Sequence, residues 1–326
     1  MAFTRRFLVE PDLESCLSLL REGFAFKAPQ RPRLTALWRE LLEGGHCITV
    51  AVDDRRRPAG GRLVGFGMSV FVTDAFARLL LAGEPFLSRA FLREWEAGRR
   101  PYLLKKEVAA ANAGDGLNLM VLHYGWREKE MLPEELDRVR LMQTEAFIQQ
   151  HAGFKVKEYL HEVFGPQLRD FVLSAGSVLR HDYAEPRWKA ALKGLGPGDR
   201  PYLTGFRPEE VLARAGTAAS LLQAKAAAPR FTLSPGEQDM LAKALQGETD
   251  PHLARSLGLS PWTIKKRWQS VYLKVDKADP DLLGGPKAAG RKHTDAQPQR
   301  RRYLLEYLRH HPEELRPHAP GRPRRG

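Results

Sequence analysis

The stretch FTLSPGEQDMLAKALQGETDPHLARSLGLSPWTIKKRWQSVYLKV (231–275) constrains the chain more than any other. It carries three helix starts of one kind. Ser234 precedes Pro235 and stands three residues before Glu237, the spacing of a capping box. Asp250–Pro251 and Ser260–Pro261 repeat the polar-cap-then-proline signal, while Gly247 and Gly258 end the first two helices. Met240, Leu241, Ala244 and Leu245 form one apolar stripe, and Leu253, Ala254 and Leu257 a second. Ile264, Trp268, Val271 and Val275 follow at i, i+4, i+7 and i+11, one narrow arc of a helix. Three short helices joined by tight turns are predicted. The third would present Trp262, Lys265, Lys266 and Gln269 away from its apolar arc, with Thr263 and Ser270 at the edge.

Charge is concentrated in the same part of the chain. The 326 residues hold 52 Lys+Arg against 39 Asp+Glu, a net +13. Residues 230–326 contribute 19 basic and 11 acidic side chains, a net +8, and the first 229 residues only +5. This points to a polyanionic partner for the smaller part. The length suggests two domains, and a 43% hydrophobic fraction fits a globular chain. No apolar run is long enough for a membrane-spanning helix, and in MAFTRRFLVEPDLESC the acid Glu10 interrupts any secretory apolar core. Two cysteines, Cys16 and Cys47, build neither a disulfide framework nor a thiolate metal site alone; Cys47 is expected to pack as a small apolar residue.

The residues of 231–275 resemble the LuxR-type helix-turn-helix domain of bacterial transcription regulators. The resemblance rests on Leu233, Ser234, Pro235, Glu237, Leu241, Gly247, Leu253, Ala254, Leu257, Ser260, Thr263, Ile264, Lys265, Val271, Tyr272, Lys274 and Val275. Gly236, His252 and Arg267 depart from the pattern, where Arg, Glu and His are usual. The resemblance implies double-stranded DNA as partner, a homodimer, and a DNA face of Trp262, Thr263, Lys265, Lys266, Arg267, Gln269, Ser270 and Lys274. A basic linker and tail (280–326) follow, with Pro/Gly/Arg-rich stretches at 286–302 and 318–326. Within it RRRYLLEYLRHHPEELRP (300–317) reads as an amphipathic helix, with Tyr303, Leu304, Tyr307 and Leu308 on one side. It either caps the bundle or offers a partner surface.

In residues 1–228 the patterning predicts strand 3–8, helices 12–24 and 33–43, and a hairpin of strands 46–53 and 62–72. A helical pair over 74–97, strand 117–124, long helix 133–151 and strand 154–163 come next. Helix 166–174, strands 177–183 and 201–206, and helix 208–224 complete a mixed α/β domain with a largely antiparallel sheet. That order resembles the GNAT N-acetyltransferase fold, which implies a pyrophosphate-binding turn after strand 117–124. The turn's Arg/Gln-x-x-Gly-x-Gly/Ala pattern is absent: GWREKEMLPEE (125–135) has one glycine, Gly125, and the acids Glu128, Glu130, Glu134 and Glu135. His123, Tyr124 and Trp126 at the strand end either line a small pocket or pack the sheet rim. No zinc-ligand spacing, Gly-x-Ser-x-Gly, Walker A or Gly-x-Gly-x-x-Gly motif occurs.

These readings combine into an α+β chain: a GNAT-like α/β domain (1–228), a helix-turn-helix domain (229–279) and a basic extension (280–326). The expected function is a sequence-specific DNA-binding transcriptional regulator, cytoplasmic and nucleoid-associated. Its N-terminal domain is expected to sense an unassigned small-molecule effector, with no catalysis, cofactor, metal or membrane. The alternative is an acyl-CoA-dependent N-acyltransferase with an accessory DNA-binding module.

Overall fold

The computed structural model describes residues 2–21, 26–212, 217–222, 229–245, 247–284 and 293–317. They divide into two compact units, Met1–Ala224 and Lys225–Gly326.

The first unit begins with β1 (Phe3–Arg6), α1 (Leu13–Leu19), α2 (Arg31–Gly44), β2 (Cys47–Asp54) and β3 (Leu63–Val72). Gly45 ends α2 in the left-handed conformation at φ 61°. β2 and β3 form the expected hairpin, Cys47 opposite Val70 and Val50 opposite Gly67. Nearly every residue of β3 is buried, as a central strand covered on both faces requires. α3 (Asp74–Leu81) is capped by Thr73, whose hydroxyl accepts the Phe76 N–H at 3.2 Å. Next come α4 (Leu87–Glu96), α5 (Lys105–Ala113), β4 (Leu117–Trp126), α6 (Pro133–His151), β5 (Val156–Phe164) and α7 (Pro166–Ser174). β6 (Val178–His181), β7 (Pro201–Phe206), α8 (Pro208–Leu212) and α9 (Ala218–Leu222) complete the unit. α5 was not expected, because KKEVAAANA offers almost no apolar periodicity.

The seven strands lie in the order β1-β2-β3-β4-β5-β7-β6. Every pairing is antiparallel except β4 with β5, which run parallel across the α6 crossover. This is a mixed α/β sheet fold, in agreement with the GNAT-like expectation. On one face Trp38, Leu34 and Leu41 of α2 and Phe91 of α4 pack on Phe66, Met68, Met120 and Leu160. On the other, Phe147 and Ile148 of α6 meet Leu119, Phe154, Tyr159 and Phe206. Trp38 is fully buried, so truncating it to alanine would cost about 3–5 kcal/mol.

The second unit contains α10 (Pro235–Leu245), α11 (Asp250–Ser256), α12 (Pro261–Ala278) and α13 (His293–His310). The Ser234–Glu237 capping box forms: Glu237 accepts the Ser234 N–H at 2.7 Å and Ser234 Oγ the Glu237 N–H at 3.4 Å. Ser260 caps α12 through the Thr263 N–H at 3.1 Å. Ile264, Trp268, Val271 and Val275 all enter the core with Met240, Leu241 and Leu253. Leu304 and Leu308 join them, so α13 caps the bundle. The turn after it is fastened by Glu314, which accepts the backbone N–H groups of Arg230 and Phe231 at 2.9 and 3.0 Å. Of the Pro/Gly/Arg-rich stretches expected to be flexible, 286–292 and 318–326 lie outside the described residues, whereas 293–302 forms the first part of α13, which corrects that expectation. Among the described residues no helix is long and apolar enough to cross a membrane.

Candidate functional site

The parallel strands β4 and β5 are hydrogen-bonded from Leu117–Val156 to Val121–His161. Beyond that point β4 continues on β3, with Gly67 opposite Tyr124, while β5 continues on β7, with Glu162 opposite Leu203. The sheet therefore opens into a wedge. Opposite Met68 and Ser69 the β4 register skips Leu122, a bulge that gives this strand one extra residue. Its effect is to reset which side chains face which layer. Leu122 and His123 both turn to the α2 side, where His123 meets Trp38 at 5.1 Å and Phe26 at 6.0 Å between ring centres. Tyr124 and Trp126 turn to the α6 side. The cluster His123–Tyr124–Trp126 is thus divided between the two layers.

His161 shares the α6 side with Tyr124 and Trp126. Its ring meets the Tyr124 ring edge-on at 5.2 Å and 76°, and Tyr159, two residues back on the same face, at 6.1 Å. Its Nε2 is shut away from solvent with no hydrogen-bond partner among the described residues. Burial pushes its pKa down to about 4, so the imidazole is neutral at pH 7. α6 supplies the facing polar groups. Gln143 Oε1 accepts the Trp126 indole N–H, while Gln143 Nε2 is buried without a partner among the described residues. Arg140 lies over the Trp126 ring at 4.8 Å. Buried nitrogens without a partner are uncommon, since such atoms normally find one. Sequence reading passed over His161, although a histidine in an apolar register between Tyr159 and Val163 is the signal that marks it.

On the other strand edge the protein's own chain approaches. The Arg21 N–H donates to the Tyr124 carbonyl at 3.1 Å, and Leu20 bridges to Gly125. Gly125 permits this contact: a Cβ there would stand 1.8 Å from the Leu19 carbonyl oxygen. On the α2 side Glu162 accepts the Phe86 and Leu87 N–H groups at 2.8 and 3.1 Å and the Tyr183 hydroxyl at 3.2 Å, placing a carboxylate at the N-terminus of α4.

The turn from β4 into α6 tests whether a coenzyme diphosphate fits. It does not. Glu130 takes Arg57 at 2.6 Å and Arg127 at 3.1 Å, and these two cations hold its carboxyl below the usual range. Glu135 takes Arg56 at 2.7 Å and the Leu132 N–H at 3.3 Å, which lowers its pKa as well. Glu128 lies 3.7 Å from Arg140. The cations and a backbone donor that could meet an incoming diphosphate already serve carboxylates of the same turn. No group of three metal-ligating side chains occurs among the described residues.

In the second unit the eight residues singled out on α12 divide. Trp262 (63% exposed), Lys265, Lys266 and Gln269 face solvent, with the Lys266 ammonium 4.0 Å from the Trp262 ring centre. Thr263 is half-buried and shares a hydroxyl hydrogen bond with Ser260 at 2.8 Å. The other three are engaged inside the unit. Ser270 Oγ and Lys274 Nζ both reach the Glu237 carboxylate, at 2.7 and 2.5 Å. Arg267 donates to the Gly236 carbonyl at 3.1 Å, and a Cβ on Gly236 would stand 3.0 Å from its guanidinium. Gly236 and Arg267 therefore accommodate one another.

No family model and no curated protein matches the chain. Solved structures do. One is FeeM, an N-acyl amino acid synthase from uncultured soil microbes: 13% identity, 65% of this chain and 96% of that one, TM-score 0.35. Another is the C-terminal condensation domain of Ebony in complex with beta-alanyl-dopamine: 14% identity, 63% and 98%, TM-score 0.38. A third is Arabidopsis thaliana NAA60 in complex with acetyl-CoA, also at 14%, 63% and 98%, TM-score 0.38. At these identities the likeness concerns fold. The expectation of a DNA-binding transcriptional regulator with a non-catalytic sensory domain is not what the comparisons return. The structures matched over about two-thirds of the chain include N-acyl and N-acetyltransferases, and no match places 231–275 in a LuxR-type family.

Proposed function

We propose that the first unit is an N-acyltransferase, moving an acyl group from a thioester to an amine, with the second unit as an accessory module. The observation that carries this reading is His161, a neutral imidazole whose Nε2 has no partner among the described residues at the mouth of the β4–β5 wedge. Acyl transfer to an amine forms a C–N bond and breaks the C–S bond. The amine must shed a proton, and the thiol must leave. A histidine that is uncharged at working pH and holds an open ring nitrogen can accept that proton at Nε2.

The test is release of free thiol from an acetyl thioester in the presence of a panel of primary amines, in the wild type and in His161→Gln. We expect amine-dependent thiol release, reduced about 10²–10⁴-fold in kcat by the substitution, the range of general-base contributions. Absence of release above buffer with every amine would dispose of the reading. Equal rates in the two proteins would remove His161 from the chemistry.

A further inference from the structure

We infer that the acyl donor is recognised as an acylated pantetheine thioester, with its diphosphate left ungripped. The inference rests on the acyltransferase reading and concerns the donor that site accepts. It follows from the charge arrangement around the β4–α6 turn. Four guanidinium groups gather there: Arg56 and Arg57 from the β2–β3 connection, Arg127 from the turn and Arg140 from α6. Each lies against a carboxylate of the same neighbourhood, Glu135, Glu130 or Glu128. Arg127 is committed further by its Nε–H, which donates to the Leu63 carbonyl at 2.9 Å. The first turn of α6 adds Glu134 and Glu135, and Pro133 at its first position has no N–H to offer. A diphosphate arriving here would have to displace Glu130 and Glu135 from their partners, and would leave those carboxylates beside its own negative charge. Exchanging one anion for another at unchanged cations yields little net attraction, so the turn adds little to the hold on the donor beyond its thioester arm.

Acylated pantetheine reaches an enzyme either as the free coenzyme or as the arm of a carrier protein. Both share the thioester chemistry, and both are open to a site without a diphosphate grip. Titration calorimetry on the full chain compares acetyl-CoA, acetyl-pantetheine and ADP. The expected result is that the two thioesters bind within about threefold of each other, less than the 1.4 kcal/mol of a tenfold difference, and that ADP gives no heat at millimolar concentration. Acetyl-CoA binding tenfold or more tighter than acetyl-pantetheine would overturn the inference and leave the acyltransferase reading intact. If neither thioester bound, both would fall. The double variant Glu130→Gln/Glu135→Gln supplies a gain-of-function check. The variant removes two negative charges from the turn while Arg56 and Arg57 keep Asp54, at 2.9 and 3.5 Å, as a partner, and preference for acetyl-CoA over acetyl-pantetheine is expected to rise about tenfold, at unchanged circular dichroism. An unchanged preference in a folded double variant would mean that the carboxylates do not set donor choice. Turnover of acetyl-CoA against turnover of an acetylated acyl carrier protein then identifies the source of the arm.

Discussion

Gly125→Ala probes how tightly the end of α1 is pressed against β4. The glycine is required by space, since its added Cβ would lie 1.8 Å from the Leu19 oxygen, 2.6 Å from the Leu19 carbonyl carbon and 3.0 Å from the Phe66 ring. A methyl group needs more than an ångström of extra room on the Leu19 side, so the chain at 19–21 must back away. Retreat breaks the Arg21 N–H bond to the Tyr124 carbonyl at 3.1 Å. A lost hydrogen bond of this kind contributes about 0.5–1.5 kcal/mol, and overpacking in a closed site adds about 1–3 kcal/mol. The expected destabilisation is about 2–4 kcal/mol. Urea unfolding of the full chain measures it, with Gly60→Ala as control: nothing lies within 4 Å of a Cβ at Gly60, and its φ is not left-handed. There the change is expected to be neutral or to stabilise by about 0.4–1 kcal/mol through the unfolded chain. A Gly125→Ala protein within about 0.5 kcal/mol of wild type, the size of an ordinary surface change, would refute the close approach of α1 to the wedge.

Other residues give equally direct tests. His161 is neutral in the folded protein to about pH 4, while the unfolded chain takes up its proton near 6.5. Stability therefore falls as pH drops from 6.5 towards 4, by about 3 kcal/mol; urea midpoints of His161→Gln should lack that part of the slope, and an unchanged slope would contradict it. Glu162→Gln removes the charge from the N-terminus of α4 and should cost about 1–2 kcal/mol in a urea melt. In the second unit, burial raises the Glu237 pKa, but Lys274, the Ser234 N–H and Ser270 together hold it below the ordinary carboxylate value. Its contribution is thus present above the unfolded pKa near 4.5 and is lost as pH falls through the lower folded value. Glu237→Gln should destabilise by about 1–3 kcal/mol at pH 7 and by much less at pH 3, read from thermal unfolding.

Local signals were legible where one residue decides the outcome. Ser234 and Ser260 cap the helices they were expected to cap, and the four-residue arc from Ile264 to Val275 is buried as its spacing requires. Asp250 shows the limit of such reasoning. Thr249 occupies the cap position, and the Asp250 carboxylate instead accepts the Trp268 indole N–H at 3.2 Å and Arg301 at 2.7 Å. The wedge was not legible at all. It joins residues of β4 and β5 some 40 positions apart, and the faces presented there depend on the Leu122 bulge, which no periodicity announces. The bridge from Leu20 to Gly125 is a backbone contact, invisible to side-chain patterning. The acids of the β4–α6 turn were visible in the sequence; that Glu128, Glu130 and Glu135 each find an arginine, two of these arginines coming from the β2–β3 connection, was not.

The lone parallel pair also dictates the order in which the sheet can be made. Antiparallel neighbours such as β2 and β3 close through a short local turn, whereas β5 cannot reach β4 until the α6 crossover has been laid down. Until then the outer edge of β4 is an unpaired strand edge, the kind that invites association with another chain. Leu20 and Arg21 cover part of that edge from a segment synthesised about 100 residues earlier. The same contact that narrows the finished wedge therefore guards the half-built sheet, and weakening it at Gly125 exposes the nascent protein to aggregation as well as loosening the folded one.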